Sequence, residues 1–273
     1  MPAVRDILNT RQMPELPEVE FAVRQLRRAV RGQTLLRLRA HHPSQRRGIT
    51  PRVERAVAGR RIVAVERRGK HQLLHLDGGA LLLVHFRMDG EWVLGRSDTA
   101  LPPHARVTFD LASGRRAVLA DPRALCTVTW HAADAHPDLG LGPEPEDPRL
   151  DAAALRARLA AKRGPIKPVL LDQSVIAGVG NIYAAEALWH ARISPRAAAA
   201  SLTPPRVERL LAGLRAALAD GHVNAGRYHR GERQIPFNVY DREGEPCPRC
   251  AAPVRRIAQA GRSTYYCARC QAR

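Results

Sequence analysis

Apolar residues recur along the chain at two different spacings, and the change from one to the other divides it. From Pro17 to Arg31, residues Val19, Val23, Leu26 and Val30 fall on one face of a helix, with Pro17 in the first turn and Gly32 as the stop. Short alternating or apolar runs come next, at 35–38, 62–65, 72–76, 81–86, 92–94, 107–111, 117–119 and 125–130. Asp77-Gly78-Gly79, Asp89-Gly90 and Ser113-Gly114 stand among their separators. Closely spaced strands with tight turns predict a β-sandwich. The stretch GLGPEPEDP at 140–148 is dense in Gly and Pro and marks a boundary. Beyond it the period lengthens. Residues 152–161, 166–173, 182–191 and 205–219 predict helices, the last with Val207, Leu210, Leu211, Leu214 and Leu218 on one face.

A length of 273 residues and a hydrophobic content of 45% allow two domains with cores of their own. Charge narrows the partner. Lys plus Arg number 44 against 26 Asp plus Glu, a formal +18, which calls for a polyanion, nucleic acid ahead of an anionic membrane. No run approaches the ~18 apolar residues of a spanning helix, and residues 1–12 lack the apolar centre of a signal peptide. A cytoplasmic, nucleoid-associated monomer is expected.

Four of the five cysteines stand as Cys247-x2-Cys250-x16-Cys267-x2-Cys270. Two Cys-x-x-Cys knuckles place four thiolates at the corners of a tetrahedron that suits Zn²⁺, and residues 253–266 between them can form a β-hairpin. Four cysteines leave no open position, so the expected single zinc ion is structural. Cys126 stands apart and reads as a small buried filler.

The stretch Met13-Pro14-Glu15-Leu16-Pro17-Glu18-Val19-Glu20 carries the candidate chemistry. Taken alone, its prolines frame a helix start. If the chain begins at Pro14, however, its first atom is a secondary amine with a reference pKa of about 7.7–8.0, against ~10.4 for lysine, and is partly unprotonated at neutral pH. Such an amine can attack a sugar aldehyde carbon. The product at C1′ is a cationic iminium, an electron sink for eliminating the phosphates β and δ to it, and Glu15 stands beside it as proton donor and acceptor. Residues 1–12, MPAVRDILNTRQ, share no pattern with the rest of the chain, so 1–13 reads as an N-terminal extension or a misassigned start. A peptide bond to Pro14 removes the nucleophile. Catalysis therefore requires initiation at Met13 with loss of the methionine, or a cleavage.

Other stretches stand out. Lys70 ends Arg67-Arg68-Gly69-Lys70, which alone reads equally as a solvated basic turn. Met88 sits at the tip of Val84-His85-Phe86-Arg87-Met88-Asp89-Gly90, where a methionine is more often core, and Asp121-Pro122-Arg123-Ala124-Leu125-Cys126 is a later loop. Lys167-Pro168-Val169-Leu170-Leu171-Asp172-Gln173 leads into Ile176-Ala177-Gly178-Val179-Gly180-Asn181-Ile182-Tyr183-Ala184. That is a helix, a glycine-bearing hairpin and a second helix whose first N–H groups and Asn181 offer a phosphate site. Arg262 lies in Gly261-Arg262-Ser263-Thr264-Tyr265-Tyr266-Cys267 on the hairpin of the metal module.

With PELPEVE at their head, these motifs resemble, in order, those of the formamidopyrimidine-DNA glycosylase and endonuclease VIII family of DNA repair enzymes. The resemblance covers nearly all of residues 14–273. It implies an α+β fold with a β-sandwich catalytic domain (14–139), a linker (140–149), a helix-two-turn-helix DNA-binding domain (150–240) and a four-cysteine zinc finger (241–273). It also implies a bifunctional DNA glycosylase and abasic-site lyase that removes 8-oxoguanine and formamidopyrimidine from damaged double-stranded DNA in base excision repair. By the same resemblance Pro14 is the nucleophile, Glu15 assists ring opening and proton transfer, and Glu18 positions the amine or a water. Lys70 contacts the phosphate beside the lesion, with His85 a second candidate. Met88, Arg123 and Leu125 fill the gap left by the flipped nucleotide, while Lys167, Asn181 and Arg262 grip the flanking phosphates. Leu125 stands where the family usually has Phe, and Cys126 where it has Gly.

The segment DGHVNAGRYHRGERQIPFNVY at 220–240 lacks the Gly-Gly-Ser/Thr start of the loop that caps 8-oxoguanine in guanine-type members. Its Arg227, His229, Arg230 and Arg233 form either a solvated basic loop or an additional DNA contact. Two alternatives remain. One is an endonuclease VIII-like preference for oxidised pyrimidines; the other is a non-catalytic binder of damaged DNA, should residues 1–13 be retained.

Overall fold

The computed structural model describes residues 14–228 and 237–272, so the leader 1–13 and the basic centre of the 220–240 segment lie outside the described residues. By contacts the chain divides into two units. Pro14 and Glu18–Asp138 form the first, while Glu15–Pro17 join Leu139–Arg273 in the second.

In the first unit, helix α1 (Leu16–Val30) presents Val19, Val23, Leu26 and Val30 to the core, each at most 1% exposed. The sequence spacing alone sets this face. Two four-stranded antiparallel sheets share that core. One runs β1 (Leu35–Ala40), β6 (Ala105–Leu111), β7 (Arg115–Ala120), β5 (Glu91–Arg96); the other runs β2 (Ile62–Arg68), β3 (His71–Leu76), β4 (Leu81–His85), β8 (Thr127–His131). Leu35, Leu38, Phe109 and Leu119 from the first meet Ile62, Leu74, Leu82 and Val128 from the second, the inward alternation of a sandwich. Glu20 of α1 accepts from Arg67 Nε at 2.9 Å and Arg27 Nε donates to the carbonyl of Val65 at 2.7 Å, which ties α1 to β2. The β2–β3 turn, with Lys70 in it, is thereby fixed relative to α1.

Two short helices, α2 (Pro43–Arg46) and α3 (Pro51–Val57), lie between β1 and β2. Neither is long enough to show an apolar period. Their local signals are Pro at the first turn and, for α3, the Thr50 side chain capping Val53 N.

The second unit contains α4 (Ala152–Ala160), α5 (Ile166–Leu170), α6 (Asn181–His190) and α7 (Pro204–Tyr228) around a core that includes Leu155, Ile166, Leu170, Ile182, Leu188, Leu210, Leu214 and Leu218. Helix α7 continues past the expected end at 219, through Asp220-Gly221, to Tyr228. Gly221 does not break it, because a Cβ there would lie 2.4 Å from the Tyr183 ring and 2.7 Å from Pro17. A glycine that reads as a breaker is a close-packing position. The hairpin β9 (Val254–Gln259) and β10 (Arg262–Cys267) rests on α6, with Ala185 and Trp189 packed among Val239, Val254 and Tyr265.

Candidate active site

Glu15 is almost wholly buried, and its carboxylate caps the start of α6. Oε1 accepts from Ile182 N at 2.9 Å, and Oε2 accepts from Gly180 N at 2.8 Å and Tyr183 N at 3.3 Å. An anion suits the positive end of a helix whose first N–H groups have no intrahelical acceptor. The next residue continues the attachment, since Leu16 N donates to Gly178 O at 3.1 Å. Gly178 has φ +83°, and a Cβ there would come within 2.6 Å of Leu16, so the hairpin needs glycine on both counts. Gln173 holds the rest of that hairpin, donating to Val179 O and accepting from Gly178 N, both at 2.8 Å. These contacts correct one expectation: the N–H groups of Gly180, Ile182 and Tyr183 are engaged by Glu15 and are not left for a phosphate. Pro14 precedes Glu15 directly, so its place is set by this anchorage. Glu18 lies buried in the first turn of α1.

Lys167 and Asn181 meet in the second unit. The Lys167 ammonium, fully buried, donates to Asn181 Oδ1 and to Ser263 O, the latter at 3.1 Å, and Asn181 Nδ2 donates to the same carbonyl at 3.1 Å. Ser263 is next to Arg262, which is exposed at the start of β10. Burial brings the Lys167 pKa down to about 8, Arg262 adds to this, and Glu15 opposes it. Tyr240, which carries no motif in the sequence, also belongs here: burial pushes its hydroxyl up to about 12, and the Asn181 side chain opposes this. Glu186 sets its place by accepting from the backbone N–H groups of Asn238, Val239 and Tyr240 at 2.8–2.9 Å.

The first unit gathers the others. Lys70, 8% exposed, lies in the β2–β3 turn after Gly69. His85 ends β4 with its ring 4.7 Å from His71. Burial, then His71, Arg87 and Lys70, push the His85 pKa down to about 3, so the ring is neutral. Its Nδ1 accepts from Arg87 N at 2.9 Å, which leaves the proton on Nε2 as a donor. Met88 is half-buried in the turn after β4. The adjacent Asp89 pairs with Arg123, which joins that turn to the loop carrying the exposed Leu125.

The four cysteine sulfurs lie within 4.8 Å of one another, with Cys247–Cys270 at 4.0 Å and Cys250–Cys267 at 3.5 Å. Tetrahedral Zn–S bonds of about 2.3 Å set sulfurs about 3.8 Å apart, so the residues fit zinc. Burial pushes the Cys247 thiol up, but donation from Trp189 Nε1 and from the backbone of Arg249 and Cys250 outweighs it and brings the pKa down to about 6. Cys270 is pushed up to about 12 by burial and the neighbouring thiols. Four thiols this close need a cation to ionise together. Cys126, 2% exposed, is buried as expected.

Residues 13–128 match the formamidopyrimidine-DNA glycosylase N-terminal domain, residues 141–228 the H2TH domain of the same enzymes, and residues 244–273 the zinc finger found in FPG and IleRS. The chain is 42% identical over 273 residues to the formamidopyrimidine-DNA glycosylase of Chloroflexus aurantiacus, covering 95% of this chain and 98% of that protein. It is 44% identical over 260 residues to that of Moorella thermoacetica, covering 90% and 94%. Among solved structures it is similar to Lactococcus lactis formamidopyrimidine-DNA glycosylase bound non-covalently to DNA containing an abasic site, at TM-score 0.85 and 30% identity over 95% of this chain and 100% of that one. It is also similar to MutM in complex with DNA containing carbocyclic 8-oxoguanine, at TM-score 0.83 and 29% identity, with the same coverage.

Proposed function

The chain belongs to the formamidopyrimidine-DNA glycosylase family, and we propose that it excises oxidised purines through Pro14 as its amino-terminal nucleophile. It is a bifunctional DNA glycosylase and abasic-site lyase. The observation that carries the residue assignment is the anchorage of Glu15, the residue bonded to Pro14, on the start of α6. The match to the family's N-terminal domain from residue 13 agrees with a working chain that starts at Pro14.

Pro14 N attacks C1′, and the base departs with a proton that Glu15 helps to deliver. The resulting iminium makes the C2′ proton acidic; its loss expels the 3′ phosphate, and loss of a second proton at C4′ expels the 5′ phosphate. Water then hydrolyses the remaining imine and frees the amine. Glu18 positions the amine or a water. Lys70, His85, Lys167, Asn181 and Arg262 hold phosphates, and Met88, Arg123 and Leu125 fill the vacated stack. The four-cysteine module carries one structural zinc ion. The working form is a monomer in the cytoplasm, associated with the nucleoid, with the sandwich over 14–139 and the helical and zinc parts over 150–240 and 241–273.

The test is borohydride trapping on a duplex with one abasic site, using protein expressed from Met1 and mapping the cross-linked peptide by mass. The expected adduct lies on Pro14 with 1–13 absent. No adduct from a chain starting at Pro14 would leave a non-catalytic binder of damaged DNA.

Lys167 predicts a pH dependence. Its ammonium is charged below about 8, so affinity for an abasic-site duplex should fall as pH rises from about 7 to about 9. Bound phosphate would favour the charged form and hold it. Anisotropy titrations check this, with Lys167→Met losing the step in that range.

A further inference from the structure

The loop between β7 and β8 is built around one carboxylate. Asp121 is fully buried. Its Oδ1 accepts from Arg123 N at 2.9 Å, and its Oδ2 accepts from Leu125 N and Cys126 N, both at 2.7 Å. Gln45 Nε2 donates to the Cys126 thiol at 3.7 Å, and burial together with the Asp121 charge pushes that thiol up to about 12. A glycine, the family's usual residue there, would offer Gln45 no sulfur. The loop's carbonyls are held from the other side. Gln45 Nε2 donates to Cys126 O at 2.9 Å and Ala124 O at 3.3 Å, and Ser44 Oγ donates to Ala124 O at 3.0 Å. Arg106 donates to Asp121 O at 2.6 Å and Pro122 O at 3.0 Å.

What this frame holds is an unfavourable tip. Ala124 has φ +54°, a region that L-residues rarely enter, and it sits between the two side chains that project, Arg123 and the 47%-exposed Leu125. Left to itself such a tip would relax into other conformations. With donors from positions 123, 125 and 126 converging on one carboxylate, it has one arrangement.

We propose that Asp121 is the positioning residue for the gap-filling tip, fixing the backbone from which Arg123 and Leu125 enter the DNA stack. It touches no substrate and acts through the tip. The proposal rests on the assignment of Arg123 and Leu125 as gap fillers made above. The replacement of a large aromatic wedge by leucine raises the demand on the backbone, since a shorter side chain reaches the stack only from a well-placed Cα. The Cys126 side chain ties the same loop to Gln45.

Asp121→Asn keeps the size of the side chain but turns an amide toward N–H donors. Two measurements read it. One is the fluorescence of 2-aminopurine placed opposite an abasic-site analogue, which reports entry into the gap; the other is single-turnover excision of 8-oxoguanine from a duplex. Borohydride trapping on a single-stranded abasic oligonucleotide, where there is no stack to fill, reads the chemistry alone. Asp121→Asn should lose the fluorescence change to the level of Arg123→Ala and lose roughly tenfold or more in duplex excision, with single-strand trapping within about twofold of wild type. Wild-type fluorescence and duplex rate in Asp121→Asn would overturn the proposal, and so would an equal loss on the single strand. Should Asp121→Asn not fold, Gln45→Ala and Cys126→Ala loosen the same loop from its edges. Both should lower the duplex-to-single-strand ratio, and an unchanged ratio in both would overturn the proposal. If Arg123→Ala and Leu125→Ala themselves leave fluorescence and duplex rate unchanged, the gap-filling assignment fails and takes the proposal with it.

Discussion

Glu15→Gln should slow excision of 8-oxoguanine from a duplex by on the order of 10²–10⁴-fold, with lesion binding within a few fold of wild type. The variant cannot relay a proton to the departing base or the opening sugar ring. It has a second effect that the geometry dictates. Both carboxylate oxygens accept backbone N–H groups, from Ile182 on one side and from Gly180 and Tyr183 on the other. An amide nitrogen must therefore face a donor on one of these sides, and leaving a buried N–H without an acceptor costs about 1–3 kcal/mol. A fall in Tm should accompany the fall in rate. The two effects separate on a preformed abasic site, which no longer needs a protonated leaving base. Damage confined to the α6 anchorage would slow both substrates alike, whereas loss of the proton relay slows base excision more. Single-turnover rates on the two duplexes decide it, and a full rate on the base lesion would remove Glu15 from the chemistry.

The sequence was most legible where periodicity is local. Val19, Val23, Leu26 and Val30 defined α1, and each of the eight apolar runs proved to be a strand of the sandwich. The two knuckle spacings placed four sulfurs together because a zinc site is written in short intervals. What escaped depends on partners far along the chain. That Glu15 caps α6 involves residues more than 160 positions away, and nothing near PELPEVE announces it. Tyr240 escaped for the same reason, since Glu186 holds its backbone from 54 positions away. Asp121 is a different case. Its bonds span two to five residues, and an Asp-Pro ahead of a loop is a local turn signal that could have pointed to it. Arg123 and Leu125 were singled out by resemblance to the family's gap fillers, which pointed to the side chains that project and not to the residue that orders them.

Removing zinc should produce the largest structural loss. Cys267→Ser, or a strong chelator, should release one zinc ion per chain and abolish binding to abasic-site DNA, because metal binding contributes on the order of 10 kcal/mol to a module of this kind. The hairpin has a small apolar base: among the described residues, Val254 and Tyr265 pack with Ala185, Trp189 and Val239. Its unfolding reaches the Lys167–Asn181 pair through the backbone. Ser263 O on β10 accepts from both Lys167 and Asn181, so an unfolded hairpin takes Arg262 away and leaves a buried ammonium with one acceptor fewer. Two consequences of a single cause can then be read separately. Zinc released to a colorimetric chelator measures the site, and the salt slope of residual DNA binding should fall by about 0.9 for each phosphate the protein no longer neutralises. Affinity and slope unchanged after full release of zinc would mean that the hairpin keeps its shape without the metal and that the four-cysteine cluster does not govern the Lys167–Asn181 grip.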